Sequence, residues 1–116
     1  MRKTRPSDKQ ILQHILDSIE LVQRSTTGIG LEQFEADFIL HTAVLKWVEI
    51  IGESSYYIDR TLKSLHGEVE WRKIEGMRHV LVHEYFGVDI QMVWNVVQNF
   101  IPKLKIDIEN ILKEFE

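Results

Sequence analysis

Residues 71–89, WRKIEGMRHVLVHEYFGVD, form the stretch around which the rest of the predicted fold is arranged. Apolar side chains recur at helical spacing from Trp71 to Val82 and no proline intervenes, which predicts a helix over about these residues. Gly87 is expected to end the helix, and Asp89 is placed to cap the next one.

The same stretch holds the densest group of side chains able to do chemistry. At about 100° per residue, Arg78 and Tyr85 fall on one helix face, and His79 and His83 share a second face. Two polar faces are therefore expected to meet near one helix end. The group consists of Arg78, His79, His83, Glu84 and Tyr85.

Upstream, two further helical patterns are separated by turn residues. Ser7 and Gln10 have capping-box spacing, which predicts a first helix ending near Arg24. Residues 25–30, STTGIG, are typical of a turn. A helical pattern with two apolar stripes then runs over residues 31–65 and predicts burial on two sides. Because such a helix would be long, we expect a bend or break at residues 52–55, with Gly52 tolerated if a neighbour packs closely there.

Downstream, a heptad seam predicts a last long helix. Pro102 lies within it, yet the seam keeps its phase, which favours a kink over a full break. The pattern as a whole predicts an all-α fold, an up-and-down bundle of four to five helices, with residues 1–116 as a single domain. The seam consists of Ile90, Trp94, Val97, Ile101, Leu104, Ile108, Ile111 and Phe115.

Composition limits the function classes. The chain has 116 residues, no cysteine and a net charge of −4. It therefore has no disulfide framework or thiolate site, and its charge is unfavourable for coating nucleic acid. No apolar run approaches the ~20 residues that cross a bilayer, and no signal peptide is evident, so a cytoplasmic location is expected.

The spacing Arg78-x4-His83-x-Tyr85 resembles the Arg-x4-His-x-Tyr motif of HepT toxins, a branch of the all-helical HEPN ribonuclease superfamily. The resemblance extends to residues 49–53, 71–72, 76–78 and 85–89, and covers most of residues 31–112. The position after the arginine, often asparagine in that family, is His79 here.

The resemblance implies the toxin of a type VII toxin–antitoxin system. Its activity would be metal-independent endoribonuclease cleavage of RNA, with tRNA as one candidate, at a site shared by a homodimer. Arg78 would bind phosphate, His83 would act as base or acid, and His79 would lie beside them. A cognate MntA-type nucleotidyltransferase would silence the toxin by adding AMP to Tyr85. Neither a cofactor or metal nor a DNA or membrane partner is implied.

Other interpretations of the motif stay open. Arg78 could pair with Glu75 or Glu84 on the helix surface, and His83 could cap the last carbonyls. His79 and His83 also have zinc-ligand spacing, although no third ligand is evident. A second class of function is also open, in which the protein is an inactive helical partner or substrate of a nucleotidyltransferase.

Several residues outside the motif are expected to be structural. His41 lies on an apolar stripe and is interpreted as a core or interface histidine, and His66 as a loop residue. Tyr56 and Tyr57 are placed inside a helix, away from the motif. The basic residues between 60 and 78 are interspersed with acidic ones, which indicates a solvated face of mixed charge.

Overall fold

The computed structural model describes residues 6–83 and 89–116, and for residues 79–83 it describes the backbone alone. The described residues contain no strand, so the predicted all-α fold is confirmed. The α-helices are α1 (Asp8–Thr26), α2 (Leu31–Ala36), α3 (Phe38–Tyr56), α4 (Arg60–Leu65), α5 (Trp71–His83), α6 (Ile90–Asn95) and α7 (Ile101–Lys113). A π-helical turn, Val96–Phe100, joins α6 to α7, so these three segments form one continuous rod. None of the described helices has the length and apolarity needed to cross a bilayer.

In the described part of the chain four long helical units form the bundle, and their apolar faces meet in two clusters. α3 packs against both α1 and α5, and α1 also packs against α7. One cluster joins α1, the second half of α3, the first turn of α5 and α7; its buried members include Leu12, Ile15, Ile19, Ile51, Trp71, Ile74, Ile101 and Ile108. The other joins the end of α1 to α2, the first half of α3 and the start of the last rod; its buried members are Val22, Phe34, Val44, Val48, Val93 and Val97.

The two predicted helix caps are confirmed. Ser7 and Gln10 form a full capping box at the start of α1. The Asp89 side chain accepts hydrogen bonds from the backbone N–H groups of Gln91, at 3.0 Å, and Met92, at 3.3 Å. The ends of helices are less well predicted, since α1 continues two residues past Arg24 before the turn.

The predicted break at Gly52 is wrong. α3 continues through Gly52 to Tyr56, and the pattern over residues 31–65 is interrupted at Asp37 and at residues 57–59. Asp37 ends α2 and begins α3, because its side chain accepts a hydrogen bond from the backbone N–H of Leu40 at 3.0 Å. Gly52 instead lies where α3 closely approaches α5.

The predicted burial of both stripes holds only in part. Val44 and Val48 are fully enclosed, but Phe38 and Leu65 are 70% and 74% exposed. Ile39, beside Phe38 at the start of α3, is 82% exposed. An apolar surface therefore remains uncovered at this end of α3.

The last rod continues across Pro102, as the unbroken heptad phase predicts. Proline cannot donate a backbone hydrogen bond, and the π-helical turn lies directly before it. The N–H of Ile101 donates to the carbonyl oxygen of Val96, five residues back. The helix is therefore continued up to Pro102 by a widened, π-helical turn. The seam is buried from Val97 to Ile111, whereas Phe115 lies beyond α7 and is 38% exposed.

His66 is a loop residue, as predicted, and it anchors the start of α5. Its carbonyl oxygen accepts a buried hydrogen bond from Trp71 Nε1 at 3.0 Å. Its ring nitrogens lie 3.3 Å from Glu68 Oε1 and 3.2 Å from Glu114 Oε1. The pKa of the Glu68 carboxyl is lowered by a backbone hydrogen bond first and by His66 second. The loop before α5 is thereby tied to the end of the chain.

His41 is half-buried against aromatic rings, consistent with the structural interpretation. Its ring meets Phe34 at a centroid distance of 6.1 Å and Phe38 at 5.3 Å, both in edge-on geometry. It is therefore packed at the base of the exposed apolar surface.

Candidate functional site

Three of the motif residues share one helix. The backbone of α5 is helical through His83, so Arg78, His79 and His83 all belong to it. On a regular helix Arg78 and His83 point about 140° apart and are separated by about 7.5 Å along the axis. The side chains of His79 and His83, and all of Glu84, Tyr85 and Gly87, lie outside the described residues. The roles assigned to His79, His83 and Tyr85 stay predictions.

The Arg78 side chain is described, and it starts from a close contact between α3 and α5. A Cβ placed on Gly52 would lie 2.9 Å from Arg78 Cβ and 2.9 Å from the carbonyl oxygen of Ile74. Only a hydrogen atom fits there, so α3 and α5 cross with their backbones nearly touching. The close neighbour that the sequence required for Gly52 is therefore α5, at the motif arginine itself.

Beyond this crossing, two residues of α3 hold the Arg78 guanidinium. Arg78 Nη1 donates to Glu53 Oε2 at 2.9 Å. The guanidinium carbon also lies over the Tyr56 ring, 4.6 Å from its centroid. Glu53 and Tyr56 are three positions apart and so share one face of α3. The arginine side chain is 28% exposed, which leaves part of it open to solvent.

The alternative in which Arg78 pairs with Glu75 on the surface of its own helix is wrong. Glu75 Oε1 instead pairs with Lys63 Nζ of α4 at 3.2 Å. The predicted face of mixed charge is confirmed by this pair and by the pairing of Lys73 with Glu70 at 3.7 Å. The alternative partner, Glu84, lies outside the described residues.

The placement of Tyr56 away from the motif is also wrong. Tyr56 is the last residue of α3 and touches Arg78, while Tyr57 meets the Tyr56 ring edge-on at 5.2 Å. The two tyrosines are 53% and 50% exposed. A cleft of about 670 Å³ opens beside them, and it is also lined by basic Arg60 and Lys63 and by acidic Asp59 and Glu75. The ring that Arg78 contacts thus borders an accessible surface that contains aromatic, basic and acidic groups.

This geometry suits Arg78 to bind a phosphate. A guanidinium has five N–H donors in a rigid plane, and one of them is taken by Glu53. Stacking on an aromatic ring fixes the plane without using any donor. The remaining donors can therefore meet two oxygens of one phosphate group in a fixed orientation.

Among the described side chains, no group of three or more histidine or acidic residues could hold a metal ion. The zinc hypothesis for His79 and His83 concerns side chains outside that set and stays untested.

Sequence reasoning missed Glu53 and Tyr56 as site residues. Glu53 closes the stretch 49–53 that carries part of the family resemblance, and its three-residue spacing to Tyr56 places both on one face. Those signals indicate a shared face, but not what packs on it, because Arg78 lies 25 positions from Glu53.

Comparison with known proteins places this chain within a family of ribonucleases. Residues 15–111 match the family model described as Ribonuclease HepT-like, a span that includes Glu53, Tyr56, Arg78, His83 and Tyr85. No significant match was found among solved structures.

Similar proteins with names in that family cover almost the whole chain. A protein named "Probable ribonuclease HepT" from Thermococcus cleftensis is 41% identical over 107 residues, which is 92% of this chain and 97% of the relative. One named "Putative RNase" from Caldanaerobacter subterraneus subsp. tengcongensis is 36% identical over 103 residues, 89% of this chain and 92% of the relative. Another "Putative RNase", from Methanocaldococcus jannaschii, is 35% identical over 101 residues, 87% of this chain and 93% of the relative.

Proposed function

Because the chain belongs to the Ribonuclease HepT-like family, we propose that it is an endoribonuclease, the toxin of a type VII toxin–antitoxin system acting in the cytoplasm. The observation that carries this proposal is the family match over residues 15–111, a span that contains Arg78, whose guanidinium is held by Glu53 at 2.9 Å. Its substrate is RNA, with tRNA as one candidate.

In the proposed mechanism, Arg78 and His83 share the chemistry. RNA cleavage requires a base for the 2′-hydroxyl proton, an acid for the leaving oxygen and a cation against the charge of the phosphorane. Arg78 supplies the cation. His83 moves a proton, since an unperturbed imidazole titrates near pH ~6.5 and can do so in either direction. His79 orients the site without transferring protons.

The proposed site is completed by a second copy of the chain. Arg78 and His83 point about 140° apart on α5, which would strain a site built from one helix. The uncovered apolar residues Phe38 and Ile39 on α3 are available for contact with another chain. We therefore expect a homodimer by light scattering at micromolar concentration; an active monomer would contradict this part of the proposal.

The central experiment measures RNA cleavage with EDTA present. Wild type is expected to cut RNA without added metal, and Arg78→Ala and His83→Ala to abolish cleavage. His79→Ala should reduce it less. A requirement for divalent metal would overturn the mechanism, and a loss in His79→Ala as severe as in His83→Ala would show that the histidine roles are wrong.

The proposed regulation is addition of AMP to Tyr85 by a cognate MntA-type nucleotidyltransferase. An AMP ester would place a negative charge and a nucleoside beside the phosphate-binding arginine, and so compete with RNA for that space. Intact mass after incubation with the partner enzyme, ATP and magnesium should show AMP additions that track loss of cleavage.

The matched controls for this experiment are Tyr85→Phe and Tyr56→Phe. The additions should vanish in Tyr85→Phe and persist in Tyr56→Phe. Tyr56 is the stricter control because it is exposed and also touches Arg78. Modification that maps to Tyr56 or Tyr57 would end this part of the proposal.

A second candidate function is an inactive helical partner or substrate of a nucleotidyltransferase. The pairing of Arg78 with Glu53 and the net charge of −4 favour it, because both weaken attraction to RNA. Expression of the chain alone separates the two functions: a ribonuclease arrests growth and fragments RNA as wild type but not as His83→Ala, whereas an inactive partner does neither.

A further inference from the structure

We propose that Glu53 and Tyr56 are positioning residues of the ribonuclease site, which together fix the orientation of the Arg78 guanidinium for the scissile phosphate. The inference rests on the proposed function. It adds two residues of α3, outside the Arg-x4-His-x-Tyr motif, that act through Arg78 and not on the substrate directly.

The Glu53–Arg78 pair is poorly explained as a stabilising device. Its side chains are 49% and 28% exposed, and ion pairs at such surfaces contribute about 0 to 1 kcal/mol. The 2.9 Å contact nevertheless directs Nη1 toward α3. A guanidinium held at one nitrogen by a carboxylate presents its other donors in a fixed direction. Orientation is therefore the effect of this pair that bears on catalysis.

Tyr56 supplies the second constraint. The guanidinium carbon lies 4.6 Å from the Tyr56 ring centroid, within the ~6 Å range of cation–π contacts. The carboxylate restrains the guanidinium at one nitrogen, and the ring restrains its plane. Tyr57 meets the Tyr56 ring edge-on at 5.2 Å.

The backbone under these side chains has little freedom to move. Gly52 brings α3 against α5 at Arg78 Cβ, one position before Glu53 in the chain. Glu53 and Tyr56 then follow on the same helix. Three neighbouring positions of one helix thus fix the place, the direction and the plane of the arginine, as preorganised catalysis requires.

Steady-state RNA cleavage by Glu53→Gln tests the inference because kcat and KM are measured separately. The variant keeps the size of the side chain but removes the charge that holds Arg78, so we expect kcat to fall about 10- to 100-fold. It also removes a negative charge beside the phosphate, so KM should fall. Loss of folded protein alone would lower the active fraction and leave KM unchanged, with a matching loss in thermal stability.

The ring is tested by a conservative rescue. Tyr56→Leu should lower kcat, and Tyr56→Phe should recover most of that loss because it retains the aromatic face. A matched control comes from the same helix. Glu49→Gln removes a carboxylate that pairs with Lys46 at 3.6 Å and should keep near-normal kcat.

The outcomes separate this inference from the proposed function. Wild type that cuts RNA while Glu53→Gln keeps full kcat would overturn the inference alone. A fall in kcat as large in Glu49→Gln as in Glu53→Gln would also overturn it, since charge on α3 and not the contact with Arg78 would then be responsible. Wild type that cuts no RNA would overturn the proposed function and this inference with it.

Discussion

Replacing Gly52 by alanine is expected to destabilise the protein, although alanine is the better helix former. In an exposed helix the change would stabilise by about 1 kcal/mol. Here the new Cβ would lie 2.9 Å from Arg78 Cβ and 2.9 Å from the carbonyl oxygen of Ile74. Carbon atoms pack at about 3.5 to 4.0 Å, so α3 and α5 would have to separate by about 0.6 to 1 Å.

That displacement sets the magnitude. Overpacking a close contact costs about 1 to 3 kcal/mol, which exceeds the gain in helix propensity. We expect a net loss of about 1 kcal/mol in the free energy of unfolding, or roughly 4 °C in Tm for a domain of this size. The rate of RNA cleavage should fall by more than the loss of folded protein explains, because the shift moves Arg78 away from Glu53 and Tyr56.

Gly76→Ala is the matched control. Gly76 lies within α5, only two positions before Arg78, yet a Cβ there would have nothing within 4 Å. This variant should gain up to about 1 kcal/mol. Urea unfolding at one protein concentration, with an RNA cleavage assay on the same samples, compares the two variants. Gly52→Ala as stable as wild type would refute the argument from close packing.

Two further substitutions test the frame of α5 and of the last rod, both by urea unfolding. Asp89→Ala should lower the free energy of unfolding by about 1 kcal/mol, because it removes the N-cap of α6. Asp89→Asn should lose little stability because asparagine caps equally well, and equal losses in the two variants would contradict the role of the cap. Trp71→Phe should cost about 1 to 3 kcal/mol because it leaves the His66 carbonyl oxygen without its buried donor, and a variant of wild-type stability would show that this bond is dispensable.

Those features of the fold that depend on near neighbours were predictable from sequence. The capping box of Ser7 and Gln10 and the Asp89 cap each involve residues at most three positions apart. The buried seam from Val97 to Ile111 follows from a repeat that survives Pro102. Local hydrogen bonding and apolar periodicity determine such features almost independently of the rest of the fold.

Gly52 shows where this reasoning fails. A glycine in a long helical pattern is compatible with a bend or with a close approach, and the sequence does not distinguish them. The bend was expected at Gly52 because a long unbroken helix is uncommon. The real interruption has its own sequence signal, because Asp37 is a residue type preferred at the start of a helix. Its side chain accepts a hydrogen bond from the backbone N–H of Leu40.

The site was predictable at the motif but not in the group that holds its arginine. On α5 itself, Glu75 is the nearest described carboxylate to Arg78 in sequence, at a spacing that commonly forms ion pairs. Lys63, from the short helix α4, pairs with Glu75 at 3.2 Å instead. Arg78 then reaches across the Gly52 crossing to Glu53. The choice between these partners depends on where α4 and α3 lie against α5, so it follows from tertiary packing, not from spacing along one helix. The residue pattern along α5 therefore identifies Arg78 as a candidate site residue. Only the crossing of α3 and α5 brings Glu53 and Tyr56 to its guanidinium and fixes the position of that group.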